Sequence, residues 1–432
     1  MRPRTVVDRS HDRLHDRVGC CRKTNFGLPV HARLPAILAV SADASSLAPE
    51  AEPDIEYGLT PCPPGRYRTG FPAVGVGGGA DPLVAQRPVS PSETIGPPYK
   101  GPVAVIQPLP GIGDMVWHLP HIRAIAAHAG APVTLITKPR SLANELLMQE
   151  AAVADIVWLD RNPNGRQGAH DGIGGFLSLV RTLRQRRFGT AIILHKSASL
   201  AAAALIAGIP DRRGYGWGAQ RLFLNNGPYL APGIAKLRPH ARATHYLRQA
   251  GIPMPSAEPT LSISPATRTA ARHRLEIHRA AFVAIGIGSS EALRRWSDER
   301  FAVLAAALLD AGWPEIVLLG GPGDTTAAAA IRAALGERAN RVKLAMGWHM
   351  QEVGGVLAEA AFYAGNDTGV MNMAAAAGIR AYAIYGRTPP IEHASQMVSI
   401  TTPDIGFYDG VLRVTPEMVL NAIRTDRGSL SP

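Results

Sequence analysis

Cysteine is almost missing from this chain. Only Cys20, Cys21 and Cys62 occur, all in its first hundred residues. The remainder has no disulfide frame and no thiolate metal site, which fits a reducing, cytoplasmic setting. Aromatic residues are scarce at 6%, so alanine and aliphatic side chains must build the core. No apolar run is long enough to span a bilayer. The best, residues 199–209 (SLAAAALIAGI), is cut off upstream by His195 and Lys196. Residues 34–44 (LPAILAVSADA) are short and follow a mixed-charge segment, so a signal peptide is not expected there. No Asp-x-Asp pair stands at a strand end, and no metal site is expected. Basic runs with interleaved aromatics are missing too, so nucleic acid is not an expected partner despite a net charge of +11. That charge suits an anionic lipid surface or a phosphorylated substrate; a proteome that uses Arg for Lys would explain it equally well.

What is present is a tail and then a repeating pattern. Residues 1–100 are dense in Pro, Gly and Ser and hold neither a helical nor a strand period. Such a segment buries too little apolar surface to offset its ordering entropy and is expected to be disordered. From Pro102 onward, short apolar runs alternate with amphipathic or alanine-rich segments. The runs are 103–108, 133–137, 155–159 and 191–194, then, after a Pro-rich linker and a basic helix in 250–280, 282–288, 315–321, 342–347, 361–366 and 381–386. Thr415 and Pro416 signal the start of a last helix. Alternating β and α predicts an α/β fold of two doubly wound, Rossmann-like domains, 101–260 and 261–432, facing a cleft. Ligands in such sheets sit beyond the carboxyl ends of the strands.

Four strand-to-helix turns carry candidate chemistry. In residues 109–120 (LPGIGDMVWHLP), Gly111 and Gly113 allow a tight turn and Asp114 opens a helix. Val116 stands where a dinucleotide fingerprint needs its third glycine. Asp114 is either a helix cap or a general base facing the cleft; His118 and His121 are rival bases or cover the helix surface. In residues 286–301 (GIGSSEALRRWSDERF), Ser289, Ser290, Arg294 and Arg295 offer hydroxyls and guanidinium groups to a phosphate. In residues 318–324 (LLGGPGD), Asp324 is a helix cap or a ribose ligand. In residues 362–386 (FYAGNDTGVMNMAAAAGIRAYAIYG), the amides of Thr368, Gly369 and Val370 point from a helix start, a place suited to anions.

In this order, the GIGD turn, SS…RRW and NDTGV…AAAAG…AYAIYG resemble glycosyltransferase family 9. Its best-known members are the ADP-heptose:lipopolysaccharide heptosyltransferases, which have a GT-B fold. The resemblance covers roughly residues 102–424. It implies that Asp114 is the catalytic base and that Gly111, Gly113, Lys196 and Ser197 face the acceptor. It implies that Ser289, Ser290, Arg294 (a lysine in the family), Thr368, Gly369 and Val370 bind the donor phosphates. Asp367, Asp324, Trp348 and His349 fall near the donor sugar and nucleotide. The family usually carries His where this chain has Asn372; Asn donates a hydrogen bond but carries no proton charge. The implied activity is inverting transfer of a sugar, heptose in the best-known members, from a nucleotide-diphosphate sugar to a lipopolysaccharide-type glycan or glycolipid. No cofactor is implied; the implied place is the cytoplasm, with peripheral contact at the inner membrane. Two rival functions remain open at this point: a sugar-nucleotide epimerase or hydrolase on the same fold, and a non-catalytic module that binds anionic glycans.

Overall fold

A computed structural model describes residues 99–432 apart from 279, 280, 387, 389, 392, 393 and 403–409. The tail expected to be disordered lies almost wholly outside the described residues. The first half runs β1 (Val103–Ile106), α1 (Ile112–Ala129), β2 (Val133–Thr137), α2 (Ala143–Leu146), β3 (Val153–Trp158), α3 (Gly172–Arg186), β4 (Thr190–Ile193), α4 (Ala198–Ile206), β5 (Asp211–Gly214) and α5 (Pro239–Gln249). The second runs α6 (Pro265–Arg274), β6 (Val283–Gly286), α7 (Asp298–Asp310), β7 (Ile316–Gly320), α8 (Thr325–Ala334), β8 (Val342–Met346), α9 (Met350–Glu359), β9 (Phe362–Asn366), α10 (Gly369–Ala376), β10 (Arg380–Ile384), β11 (Met397–Ile400), α11 (Gly410–Arg413) and α12 (Pro416–Arg427).

Each half is one parallel sheet. The strand orders are β3-β2-β1-β4-β5 and β11-β10-β9-β6-β7-β8. Strands such as β1 and β6 are buried along their whole length, as expected when helices cover both faces. Strand order reverses between β1 and β4 in the first sheet and between β6 and β9 in the second. A crevice opens at each reversal, beyond the carboxyl ends of the strands. The Gly111 turn follows β1 and the Lys196 turn follows β4, so both border the first reversal. The Ser289 and Thr368 turns, after β6 and β9, border the second. The two strands that the hydrophobic pattern does not announce, β5 and β11, are sheet edges. β5 reads DRRG and has no apolar run to betray it.

The halves share apolar packing. One buried cluster runs from Met115, Val116 and Leu119 of α1 to Met371, Met373 and Ala374 of α10. The alanines of α10 keep that helix thin enough to lie close. Polar contacts accompany the packing. Glu145 accepts a hydrogen bond from the Met350 amide at 3.0 Å, and Gln351 Nε2 donates to the Leu146 carbonyl at 2.9 Å. Arg123, paired with Glu150 at 2.6 Å, also donates to Thr260 and Ser262. The basic helix α6 starts at its N-cap Ser264 and packs on α9, where a Cβ on Gly355 would lie 2.8 Å from the Thr267 carbonyl oxygen. No helix of the described residues is long and apolar enough to cross a membrane.

Candidate functional site

The starts of α1 and α10 meet. A Cβ on Gly369 would fall 2.6 Å from Ile112 Cβ, and one on Gly113 would fall 2.7 Å from Asn372 Nδ2. At Gly369 the approach requires glycine, and at Gly113 a Cβ would displace the Asn372 amide. Two helix N-termini, each with amides lacking intrahelical partners, thus lie side by side, and their dipoles add in favour of an anion. Gly111, Gly113 and Asp114 stand on one side; Thr368, Gly369 and Val370 stand on the other. The Asp114 carboxylate accepts a hydrogen bond from the Gly111 amide at 3.3 Å. It therefore closes its own helix start, as a cap would, on the wall that meets the Thr368 turn.

A second group continues from this contact. Asp367 precedes Thr368 and is largely buried. Arg294 Nη1 lies 3.5 Å from its carboxylate, and Thr388 Oγ1 donates to it. Burial raises the Asp367 pKa above its ordinary value; the Thr388 hydrogen bond and the charges of Arg294 and Arg238 offset this only in part. Arg294 is also 3.1 Å from Glu291. Ser289 Oγ closes the same turn by donating to the Glu291 carbonyl at 2.7 Å, and Ser290 is exposed. Arg295 pairs with Asp324, whose other oxygen accepts from the Gly321 amide at 2.8 Å. Both arginines expected to serve phosphate are thus already paired with carboxylates, and Asp324 acts as a loop cap.

The remaining expected residues stand apart from these groups. Ser197 is the N-cap of α4, accepting from the Leu200 amide at 3.3 Å, and Lys196 beside it is exposed. Trp348 lies under the Arg274 guanidinium at 4.0 Å. His349 caps α9, its Nδ1 accepting from the Gln351 amide. That turn neighbours the β7 turn: a Cβ on Gly347 would lie 3.0 Å from the Pro322 ring.

His118 and His121 do not cover a helix surface; both are fully buried. His118 Nδ1 contacts the Asp114 carbonyl at 2.7 Å, and His121 Nε2 pairs with Thr244 Oγ1 of α5 at 2.9 Å. Burial pushes the His118 pKa down to about 4, and burial with the nearby His118 and His240 pushes His121 down to about 3. Both imidazoles are held neutral. The unfolded chain, at about 6.5, takes up protons that the fold refuses, so stability falls as pH drops from about 6.5 towards 4. Each histidine is expected to cost about 2 kcal/mol at pH 5. Denaturant melts of parent and His121→Gln at pH 7.5 and 5 check this: the variant should lose less stability between the two pH values than the parent.

Four contributors were not among the expected site residues. Asn366, fully buried, donates to the carbonyls of Ile287 and Gly288 and accepts from the Trp296 amide. It ties both ends of the Ser289–Arg295 loop to β9. Trp117 bonds Asn372. Thr388 holds Asp367. Arg238, at the start of α5, donates to the Pro390 carbonyl at 3.0 Å and lies close enough for its charge to act on Asp367. A lone Asn inside an apolar strand end was the one clue, because a buried amide must find partners.

Comparison with known proteins agrees with this architecture. Lipopolysaccharide heptosyltransferase 2 of Escherichia coli K12 is 26% identical over 275 residues, 58% of this chain and 79% of that protein. The solved structure of E. coli ADP-heptose LPS heptosyltransferase II superposes with a TM-score of 0.61 at 22% identity, covering 75% of this chain and 98% of that one. E. coli heptosyltransferase WaaC, solved with ADP-2-deoxy-2-fluoro heptose, gives 0.58 at 18% identity, covering 75% and 99%. The likeness to the solved structures establishes the GT-B fold. The family model for glycosyltransferase family 9 (heptosyltransferase) matches residues 176–402, more than half of the sequence, and the chain belongs to that family of heptosyltransferase-like glycosyltransferases.

Proposed function

We propose that this protein is an inverting glycosyltransferase that moves heptose from ADP-heptose to a lipopolysaccharide-type acceptor. The observation that carries the reading is the abutment of the two helix starts, which sets a carboxylate beside a cluster of anion-holding groups. The donor diphosphate lies against the amides of 368–370. Arg294 and Arg295 turn from their carboxylates to the phosphate oxygens, and Ser289 and Ser290 add hydroxyls. Asp367, released by Arg294, accepts hydrogen bonds from sugar hydroxyls. The acceptor hydroxyl approaches from the first half, past Gly111, Lys196 and Ser197, and gives its proton to Asp114. Its oxygen bonds to the anomeric carbon on the face opposite the departing ADP, so the configuration inverts. Charge grows on the diphosphate in that step, where fixed amides and guanidinium groups act most strongly. Trp348 and His349 border the space for the nucleotide base. The donor assignment draws on two of the related proteins above, E. coli ADP-heptose LPS heptosyltransferase II and WaaC, solved with ADP-2-deoxy-2-fluoro heptose.

The test is product analysis with ADP-, UDP-, GDP- and dTDP-sugars, each with and without a lipopolysaccharide core acceptor. Acceptor-dependent release of ADP with an inverted anomeric product is expected. Equal donor consumption without acceptor would overturn transfer. Preference for another nucleotide would overturn the donor.

A further inference from the structure

The contact between the two helices is directional as well as close. Trp117 follows Asp114 by one turn on α1, so both side chains leave the same face of that helix. The Trp117 indole N–H donates to Asn372 Oδ1 at 2.7 Å. Asn372 Nδ2 donates in turn to the Thr368 carbonyl at 2.8 Å. Thr368 is the N-cap of α10. An unbroken hydrogen-bond path therefore leads from the helix of Asp114 to the turn of 368–370. It is buried: Trp117 is 4% exposed and Asn372 7%.

Asp114 and the 368–370 amides belong to different halves, so nothing in either half alone fixes their spacing. The neighbouring contact, Ile112 against Gly369, is apolar and close but carries no directional bond. Hydrogen bonds are directional, because they weaken steeply off-axis. We propose that Trp117 and Asn372 are positioning residues that fix Asp114 relative to the anion-holding turn, and that Asn372 is not itself a donor-phosphate ligand. The path uses the amide carbonyl and an amide N–H of Asn372 on protein partners, and a Cβ on Gly113 would fall 2.7 Å from the same nitrogen. The proposal rests on the glycosyl-transfer reading above. A shift of about 1 Å between reacting groups is enough to slow a reaction about a hundredfold; loss of one buried tie should give part of that.

The experiment compares Trp117→Phe, which keeps a ring and loses the N–H, Asn372→Leu and the double variant. Steady-state rates, ADP affinity by calorimetry and Tm are read for each. We expect kcat to fall roughly tenfold in each single variant, with ADP Kd and donor KM within about twofold. The double variant should be no worse than the poorer single one, because both cut the same path. An unchanged kcat in Trp117→Phe overturns the proposal, as does a roughly hundredfold, additive loss in the double. ADP affinity lost in Asn372→Leu but kept in Trp117→Phe makes Asn372 a donor ligand and also overturns it. Should Asn372→Leu fail to fold, Trp117→Phe decides alone. Asp114→Asn is assayed beside them. Full activity there removes the base from the transfer reading, whereas inactivity there with a normal Trp117→Phe removes only the positioning role.

Discussion

Asp114→Asn is expected to lower kcat by roughly 10²–10⁴ while ADP binds as tightly as to the parent. The reason is local. The side chain keeps its shape, so an amide oxygen still accepts from the Gly111 N–H and the turn still closes. The change removes only the capacity to take a proton. A sugar hydroxyl is a poor nucleophile until its proton leaves, and Asp114 is the carboxylate at the helix start on this wall. The nearby imidazole of His118 is buried, held neutral at ordinary pH by its environment, and faces the Asp114 carbonyl. Stopped assays of product formation, with calorimetric ADP binding on the same preparation, give both numbers. A rate within threefold of the parent would remove Asp114 from proton transfer and leave it as a helix cap. Loss of ADP binding in step with the rate would place the defect in the fold of the turn, because a cap lost from α1 disturbs its neighbour α10.

The order of strands and helices is legible in the sequence because buried parallel strands are continuous apolar runs. Residues 316–320 and 362–366 need no partner to be recognised. The edge strand β5, which reads DRRG, lacks that mark and passes for a turn. The site is legible where one residue type answers one demand: glycine where backbones approach, as at 113 and 369, and a carboxylate at a helix start, as at 114. It is illegible where a role is made by a partner distant in sequence. Nothing near Trp117 points to Asn372, and nothing in RRW says that its two arginines meet Asp367 and Asp324. His118 and His121 show the same limit from the other side. Their spacing suits a helix face, but only the packing of α5 shows which face it is.

Asn366→Leu is expected to lower stability by about 3–5 kcal/mol and to weaken ADP binding roughly tenfold. Leucine has the branched skeleton of Asn, with two bulkier methyl groups in place of the amide oxygen and nitrogen, so most of the loss is polar. Three buried backbone groups are stranded: the carbonyls of Ile287 and Gly288, at 3.0 and 3.2 Å, and the Trp296 amide at 3.0 Å. Each stranded group costs about 1–3 kcal/mol when water cannot reach it. The loop between them carries Ser289, Arg294 and Arg295, and its release scatters the groups that meet the phosphates. A Tm drop of roughly 10 °C should accompany the loss of affinity. Asn366→Asp separates the two halves of the role. Its carboxylate still accepts from Trp296 but, when ionised, turns a charge on two carbonyl oxygens, and burial raises its pKa. Protonated, it donates to one of them. Affinity and Tm of Asn366→Asp should therefore recover as pH falls through that raised pKa, while Asn366→Leu shows no such recovery. A Tm for Asn366→Leu within two degrees of the parent would show that the loop is held by other contacts.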